Sequence, residues 1–145
     1  MKSSKKEIFI NHSASQLYEI VLDIEKYPEF IPWCNNIIIK SQKKNQIIAD
    51  MIVKYKFLFS QTFSSHVSYD SSKLKINTTY VKGPLKDLKT QWQFIKMKNK
   101  ETKVIFNITF EFEKIFHQKI AELFFNLIEN EMINSFKKRA DDILN

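Results

Sequence analysis

Glycine is almost missing from this chain: Gly83 is the only one in 145 residues. There is no Pro/Gly/Ser-rich linker, no internal repeat and no low-complexity block, so nothing marks a domain boundary and residues 1–145 read as a single domain. Cysteine is equally scarce. A lone Cys34 excludes an internal disulfide and any metal cluster built on cysteines. Arginine occurs once, at Arg139, which weighs against sequence-specific reading of nucleic acid, because planar bidentate contacts favour arginine over lysine. No apolar run reaches the roughly eighteen residues of a membrane-spanning helix. The start, "MKSSKKEIFIN", is basic and then briefly apolar, without the longer apolar region and small-residue cleavage site of a signal peptide. The expected location is the cytoplasm, with peripheral contact at the inner face of the cytoplasmic membrane.

What the chain has instead is lysine and aromatic bulk. The net charge is +7, carried almost wholly by lysines scattered along the sequence. Such a balance attracts anionic lipid or RNA phosphate; it is also what a solvated surface looks like. Charged and hydrophobic residues, at 27% and 43%, sit at ordinary globular levels and are enough to bury a real core.

The periodicity gives an element order. "KKEIFIN" reads as a strand. Ser13 to Gln16, "SASQ", fits a capping box in which Ser13 accepts from the Gln16 backbone N–H while the Gln16 side chain reaches back. Leu17, Ile20 and Val21 follow as a short helical stripe. Asp23 opens a second short helix that should stop near Tyr27, because Pro28 disfavours helical geometry before it. From Ile37 the period changes to two. Ile37–Ser41 is a strand and Lys43–Asn45 a turn; Ala49, Met51, Val53 and Tyr55 share one face of the next strand. Phe63, Ser65, Val67 and Tyr69 alternate with Ser64, His66 and Ser68. After a turn at Asp70–Ser72, Leu74, Ile76, Thr78 and Tyr80 alternate in turn. Lys82–Pro84 is a further turn, before Leu88, Thr90, Trp92 and Phe94, and then Val104, Phe106, Ile108, Phe110 and Phe112. Residues 115–144 read as one long helix with a stripe at Ala121, Phe125, Ile128, Met132, Phe136, Ala140 and Ile143. Phe116, Ile120, Leu123 and Leu127 form a second apolar group on its first half. Six consecutive strands without a crossover helix imply an antiparallel meander, which will twist and curl. The predicted class is α+β: a curved antiparallel sheet of about seven strands, two short helices after the first strand, and a long last helix on the concave face.

This order, together with "DIEKYPEFIPWC" (Asp23–Cys34), "FSSHV" (Phe63–Val67), "VKGPLKDLKTQW" (Val81–Trp92), "FEFE" (Phe110–Glu113) and "FKKRA" (Phe136–Ala140), resembles the helix-grip fold of START and Bet v 1-like proteins. More narrowly it is similar to the coenzyme Q-binding START family, with its bacterial RatA-type members. The segments span nearly the whole chain, and "YPEFIPWC" is the most specific. The resemblance implies a hydrophobic cavity that holds ubiquinone or another polyprenyl lipid, supporting quinone-dependent respiration without catalysing a reaction and without a catalytic cofactor. It also implies a rival, ribosome association, since RatA-type relatives are described as toxins that bind the large ribosomal subunit and block subunit association. A third implication is enzymatic, because some helix-grip relatives are polyketide cyclases or aromatases. One departure stands out: "KYKFLFSQ" occupies a hairpin where family members often carry glycine.

The residues can be weighed on their own chemistry as well. In "YPEFIPWCNN", Pro28 and Pro32 stiffen the backbone and hold Tyr27, Phe30 and Trp33 on a rigid frame. That frame is either a plug closing the core, each ring contributing roughly 2–3 kcal/mol by burial, or the lip of a ligand site. On the quinone reading, Phe63, Trp92, Phe106, Phe125, Met132 and Phe136 line the tail region, with Phe94 and Phe110 on the same aromatic strand faces, while Tyr27, Phe30 and Trp33 stand near the mouth. Lys54, Lys56, Phe57 and Leu58 form an apolar hairpin tip beside lysines that could dip into a membrane or fold inward over the cavity. No catalytic set is legible. Cys34 lacks a neighbouring base in any known motif and reads as a structural thiol. His12, His66 and His117 lack metal-ligand spacing, and no metal is expected. Glu111 and Glu113 share a strand face that points to solvent if Phe110 and Phe112 point inward.

Overall fold

The computed structural model describes residues 2–55, 59–112 and 118–144. The chain runs through β1 (Lys2–Ile10), α1 (Ala14–Leu22), a 3-10 helix (Ile24–Glu29), β2 (Cys34–Lys43), β3 (Gln46–Tyr55), β4 (Phe59–Asp70), β5 (Lys75–Lys82), β6 (Leu85–Lys96), β7 (Thr102–Phe112) and α2 (Gln118–Ile143). The strands form one antiparallel sheet in the order β1-β7-β6-β5-β4-β3-β2. β2 to β7 are therefore a simple meander, and β1 closes the far edge by pairing with β7. This is the α+β helix-grip architecture that the order of periodicities predicts.

Alternation of burial shows why the sheet has one apolar face. Along β7, Thr102, Val104, Phe106, Ile108 and Phe110 are buried, and each residue between them is partly exposed. Ile47, Ala49 and Val53 on β3, Phe63 and Val67 on β4, and Leu88, Trp92 and Phe94 on β6 continue that face. Register shifts in β2, β4 and β6 interrupt the ladder. Irregularities of this kind bend a strand and add twist, which helps the sheet to curl around its contents.

With a single glycine available, other residues take the left-handed backbone that tight turns need. Asn45 (φ 62°) turns β2 into β3, and Asn99 (φ 59°) with Lys100 (φ 61°) turns β6 into β7. Asparagine tolerates this region better than most side chains. Leu74 (φ 51°) is a correction to the sequence reading. It belongs to the turn and not to β5; the Asp70 carboxylate accepts from the backbone N–H groups of Ser72 (3.0 Å) and Lys73 (3.3 Å), which prolongs the turn past Ser72.

Three local expectations also need revision. Ser13 caps α1 by accepting from Gln16 N–H at 3.2 Å, but its hydroxyl donates to the Gln16 side-chain oxygen at 3.0 Å, so that side chain engages the hydroxyl and not the backbone. The 3-10 helix continues past Pro28 to Glu29 because it is two successive turns, Lys26 N–H to Asp23 C=O and Phe30 N–H to Tyr27 C=O. Pro28 sits at the first position of the second turn, where its missing N–H costs nothing. Ile143, placed on the buried stripe of the last helix by periodicity, is 51% exposed, as the stripe ends with fully buried Ala140. Ile128, Met132 and Phe136 are buried as the stripe predicts, joined by Leu127 and Ile133.

Candidate functional site

A cavity of about 110 Å³ lies between the concave face of the sheet and α2. Ile24 and Tyr27 from the 3-10 helix form one wall, with Trp33 from the segment that follows. Ile128 and Met132 of α2 form the roof, and Phe63, Trp92 and Phe106 belong to the sheet floor. These side chains meet because the sheet curls and because Pro28 and Pro32 fix the path of the segment between α1 and β2. The lining is overwhelmingly apolar. Its polar exceptions are the Tyr27 phenol, the Trp33 indole and three hydroxyls, Ser65, Thr78 and Thr90. Thr78 and Thr90 are direct cross-strand partners, and Ser65 lies on the neighbouring strand beside Val67, the partner of Thr78. No Asp, Glu, His, Lys or Arg lines this cavity among the described residues.

The Tyr27 phenol is committed. It donates to the backbone carbonyl of Val21, and burial pushes its pKa upward, so it is a neutral structural donor. Its ring meets Phe30 edge-on at 5.9 Å and Phe136 at 5.1 Å, and Phe30 meets Phe136 at 5.2 Å. Edge-to-face contacts at these separations are the favourable geometry for aromatic quadrupoles. Trp33 differs. It is 2% exposed, yet its indole Nε1–H has no hydrogen-bond partner among the described residues. Its backbone carbonyl accepts from Lys54 N–H at 2.9 Å, which fixes the segment against the end of β3.

Trp33 also borders a second, more open groove of about 530 Å³. Phe30, Pro32, Lys54 and Tyr55 form one bank, and Asn130, Glu131, Asn134, Ser135 and Lys138 of α2 form the other. Trp33 therefore borders both the apolar inner cavity and the more polar outer groove.

Of the residues singled out from sequence, Tyr27, Trp33, Phe63, Trp92, Phe106 and Met132 come together around the inner cavity. Phe30 borders the outer groove. Phe94 and Phe136 border a separate void of about 10 Å³ beside α1 and β1, which is solid packing. Phe110 is fully buried and packs on Phe112 (5.0 Å) and Phe125 (5.4 Å), away from the cavity wall. Lys54 is exposed at the groove; Lys56, Phe57 and Leu58 lie outside the described residues, as do Glu113 and His117. Cys34 is a buried free thiol pushed up to about 12 by desolvation, which removes nucleophilic character at neutral pH. His66 faces Gln46 on the polar side of the sheet, and Glu111 pairs with Lys86 at 3.6 Å. Sequence reasoning gave no role to Ser65, Thr78 and Thr90. Their signal was present: small polar residues at inward positions of three adjacent strands.

Residues 10–137 match the model of the polyketide cyclase/dehydrase and lipid transport family. The chain is 31% identical to the ribosome association toxin RatA of Vibrio cholerae, covering 99% of this chain and 98% of that protein. It is 28% identical to a mitochondrial coenzyme Q-binding protein of Xenopus laevis, covering 92% of this chain and 56% of that one. Among solved structures, the Zhui aromatase/cyclase from Streptomyces superposes with a TM-score of 0.87 at 12% identity, covering 99% of this chain and 96% of that one. At that identity the likeness concerns the fold.

Proposed function

The chain belongs to the polyketide cyclase/dehydrase and lipid transport family, and from that membership we propose that it binds a polyprenyl quinone of the ubiquinone class without transforming it. The observation that carries this reading is the inner cavity, apolar on nearly every side, with Trp33 shared between it and a groove that has Lys54 and Lys138 on its banks. Apolar surface removed from water supplies affinity, at about 25 cal/mol per Å² before ordering costs. A few polar atoms set orientation. The likeness to a coenzyme Q-binding protein supports the same ligand class. The protein would then carry or shield the quinone, taking it from and returning it to the membrane surface, where a net charge of +7 favours anionic headgroups. None of the described helices is long and apolar enough to cross a bilayer, so this contact is peripheral in the proposal. Catalysis of the cyclase kind finds little support in a cavity whose described lining holds no acid or base active near neutral pH. The test is native mass spectrometry of gently purified protein with chromatographic identification of extracted lipid. A co-purifying or readily loaded quinone supports the reading; a protein that carries none and takes up none from vesicles overturns it.

A second reading rests on the full-length likeness to RatA, named for ribosome association. In that reading the lysine-rich surface contacts ribosomal RNA, and binding weakens steeply with salt. Co-sedimentation with large ribosomal subunits at moderate salt would support it, and its absence at low salt would exclude it.

A further inference from the structure

The lysines are scattered in sequence, but the fold gathers them. Strand direction alternates through the meander, so the turns β2–β3, β4–β5 and β6–β7 all stand at one end of the sheet. These turns, residues 43–46, 70–75 and 96–102, hold seven lysines and two carboxylates. Lys43, Lys44, Lys73, Lys96, Lys98 and Lys100 are exposed. Elsewhere Lys5, Lys26, Lys40, Lys86 and Lys103 each face a carboxylate within 3.6 Å; among the described residues none of the six exposed turn lysines is in such a pair. Of the two carboxylates, Asp70 is engaged by the Ser72 and Lys73 N–H groups and by the Ser72 hydroxyl at 2.6 Å, which leaves Glu101. Asp141, beside the end of β1, is bonded to His12 at 2.9 Å. The turns are also tied into a row. The Asn45 carbonyl accepts from Tyr69 N–H at 3.1 Å, the Leu74 carbonyl from Phe94 N–H at 3.1 Å, and Met97 N–H closes the third turn on the Glu101 carbonyl at 2.8 Å. Successive turns lie two strands apart, so the row is about 20 Å long, measured along the sheet.

We propose that this lysine-tipped end of the sheet is the surface that docks on ribosomal RNA, through the phosphates of its backbone. This rests on the ribosome-association reading and gives it a place on the fold, remote from the groove that Lys54 and Lys138 border. Lysine suits the task. It is a compact point charge that neutralises phosphate and releases counterions without reading bases, and the chain's one arginine is held elsewhere, on Glu29. The other side chains of the turns favour RNA over a bilayer. Asn45, Ser71 and Asn99 are exposed and can hydrogen-bond phosphate and sugar oxygens. A turn that enters lipid needs apolar bulk, and Met97, 44% exposed, is the one exposed large hydrophobic residue in these three turns.

The experiment measures binding to purified large ribosomal subunits by co-sedimentation over a series of salt concentrations. It compares the wild type with two triple variants of equal net charge. One takes a lysine from each turn, Lys44→Gln, Lys73→Gln and Lys98→Gln. The control takes three exposed lysines from elsewhere, Lys82→Gln, Lys89→Gln and Lys137→Gln. The turn variant should bind about tenfold or more weakly at low salt, and its slope of log affinity against log salt should shrink by about 2–3. The control should stay within about twofold of wild type with its slope unchanged. The three single turn variants, each expected to reduce the slope by about 1, decide the matter should the triple variant fail to fold. An equal loss in both triple variants, or none in either, overturns the docking surface and leaves ribosome association standing. Failure of the wild type to bind subunits at low salt overturns the ribosome-association reading itself. Vesicles of phosphatidylcholine and phosphatidylserine in equal parts are the second probe: turn lysines that govern binding to the vesicles but not to the subunits make this end a membrane contact and overturn the proposal.

Discussion

The only arginine of the chain, Arg139 on α2, donates to the Glu29 carboxylate at 3.0 Å, and its guanidinium lies 5.0 Å from the centre of the neighbouring Phe30 ring. One side chain thus ties the last helix to both ends of the Glu29–Phe30 step, at the rim where the outer groove begins. A lysine could supply the charge but not the planar group that stacks on the ring and forks toward a carboxylate.

Removing that clamp should loosen the rim. Arg139→Ala forfeits a cation–π contact of about 0.5–1 kcal/mol, which for a chain of this size corresponds to a fall of roughly 2–4 °C in Tm by calorimetry. Arg139→Lys should fall between wild type and alanine. The hydrogen bond from Arg139 is the main reason the Glu29 carboxyl titrates below its ordinary value of 4.5. A lowered carboxylate contributes above its unfolded pKa and loses that contribution as pH falls through the folded one. The difference between wild type and Arg139→Ala should therefore narrow in acid, by a small amount because the pair is exposed.

Gly83→Ala should be among the most damaging surface substitutions. Gly83 has φ 150°, and an added Cβ would stand 2.8 Å from the Tyr80 hydroxyl and 2.9 Å from the Thr62 carbonyl oxygen. The carbonyl belongs to β4 backbone and cannot step aside without moving the strand. A loss of about 2 kcal/mol or more is expected in urea denaturation. Tyr80→Phe should cost less, about 1 kcal/mol, because it deletes the acceptor that the Leu85 N–H reaches at 2.9 Å.

Filling the cavity should separate stability from binding. Ala49 lines the inner cavity and is 5% exposed. Ala49→Leu adds three carbons on the sheet side, so stability should stay within about 1 kcal/mol of wild type or rise, as cavity-filling changes often allow. Quinone uptake should fall by about tenfold or more. A variant that keeps full uptake would place the ligand elsewhere.

Alkaline pH should weaken the fold through buried acids that resist ionisation. Burial raises the Cys34 thiol from 9.0 to about 12 and moves Tyr27 upward from 10.0. A group whose folded pKa is raised leaves stability intact below its unfolded pKa and removes it as pH climbs toward the folded value. The window is thus pH 9.0 to about 12 for Cys34. Urea midpoints at about pH 8 and about pH 10.5 should decline, and Cys34→Ala should make that decline shallower.

Much of this fold is legible in the sequence because alternation and helical stripes report burial directly. Val104 to Phe110 could face only one way, and Ile128, Met132 and Phe136 only one partner. The misses have local causes. Leu74 fits a period-two pattern, and a left-handed leucine held by the Asp70 turn leaves no trace in hydropathy. Ile143 continues the helical phase, but the core ends at Ala140. The site was less legible than the fold. Aromatic richness marked Tyr27, Trp33, Phe63, Trp92 and Phe106, yet it marked Phe94 and Phe136 equally, and hydropathy does not distinguish a ring that borders a cavity from one that fills the core beside it. That the Trp33 indole lacks a partner among the described residues is invisible to sequence, because whether a donor finds an acceptor depends on atoms brought there by other elements.

The position of β1 has a kinetic consequence. Every pairing from β2 to β7 joins strands that are neighbours in the chain, whereas β1 sets Ile10 against Thr102. Closing that loop of about 90 residues costs roughly 3 kcal/mol more in chain entropy than closing a two-residue hairpin. A pairing so distant is slow to form and contributes little until the meander exists to receive it. α1 and the Tyr27–Trp33 segment are strung between β1 at one edge of the sheet and β2 at the other, so the cavity wall they carry is assembled at the same late stage. Until then the aromatic face of the sheet lacks that wall.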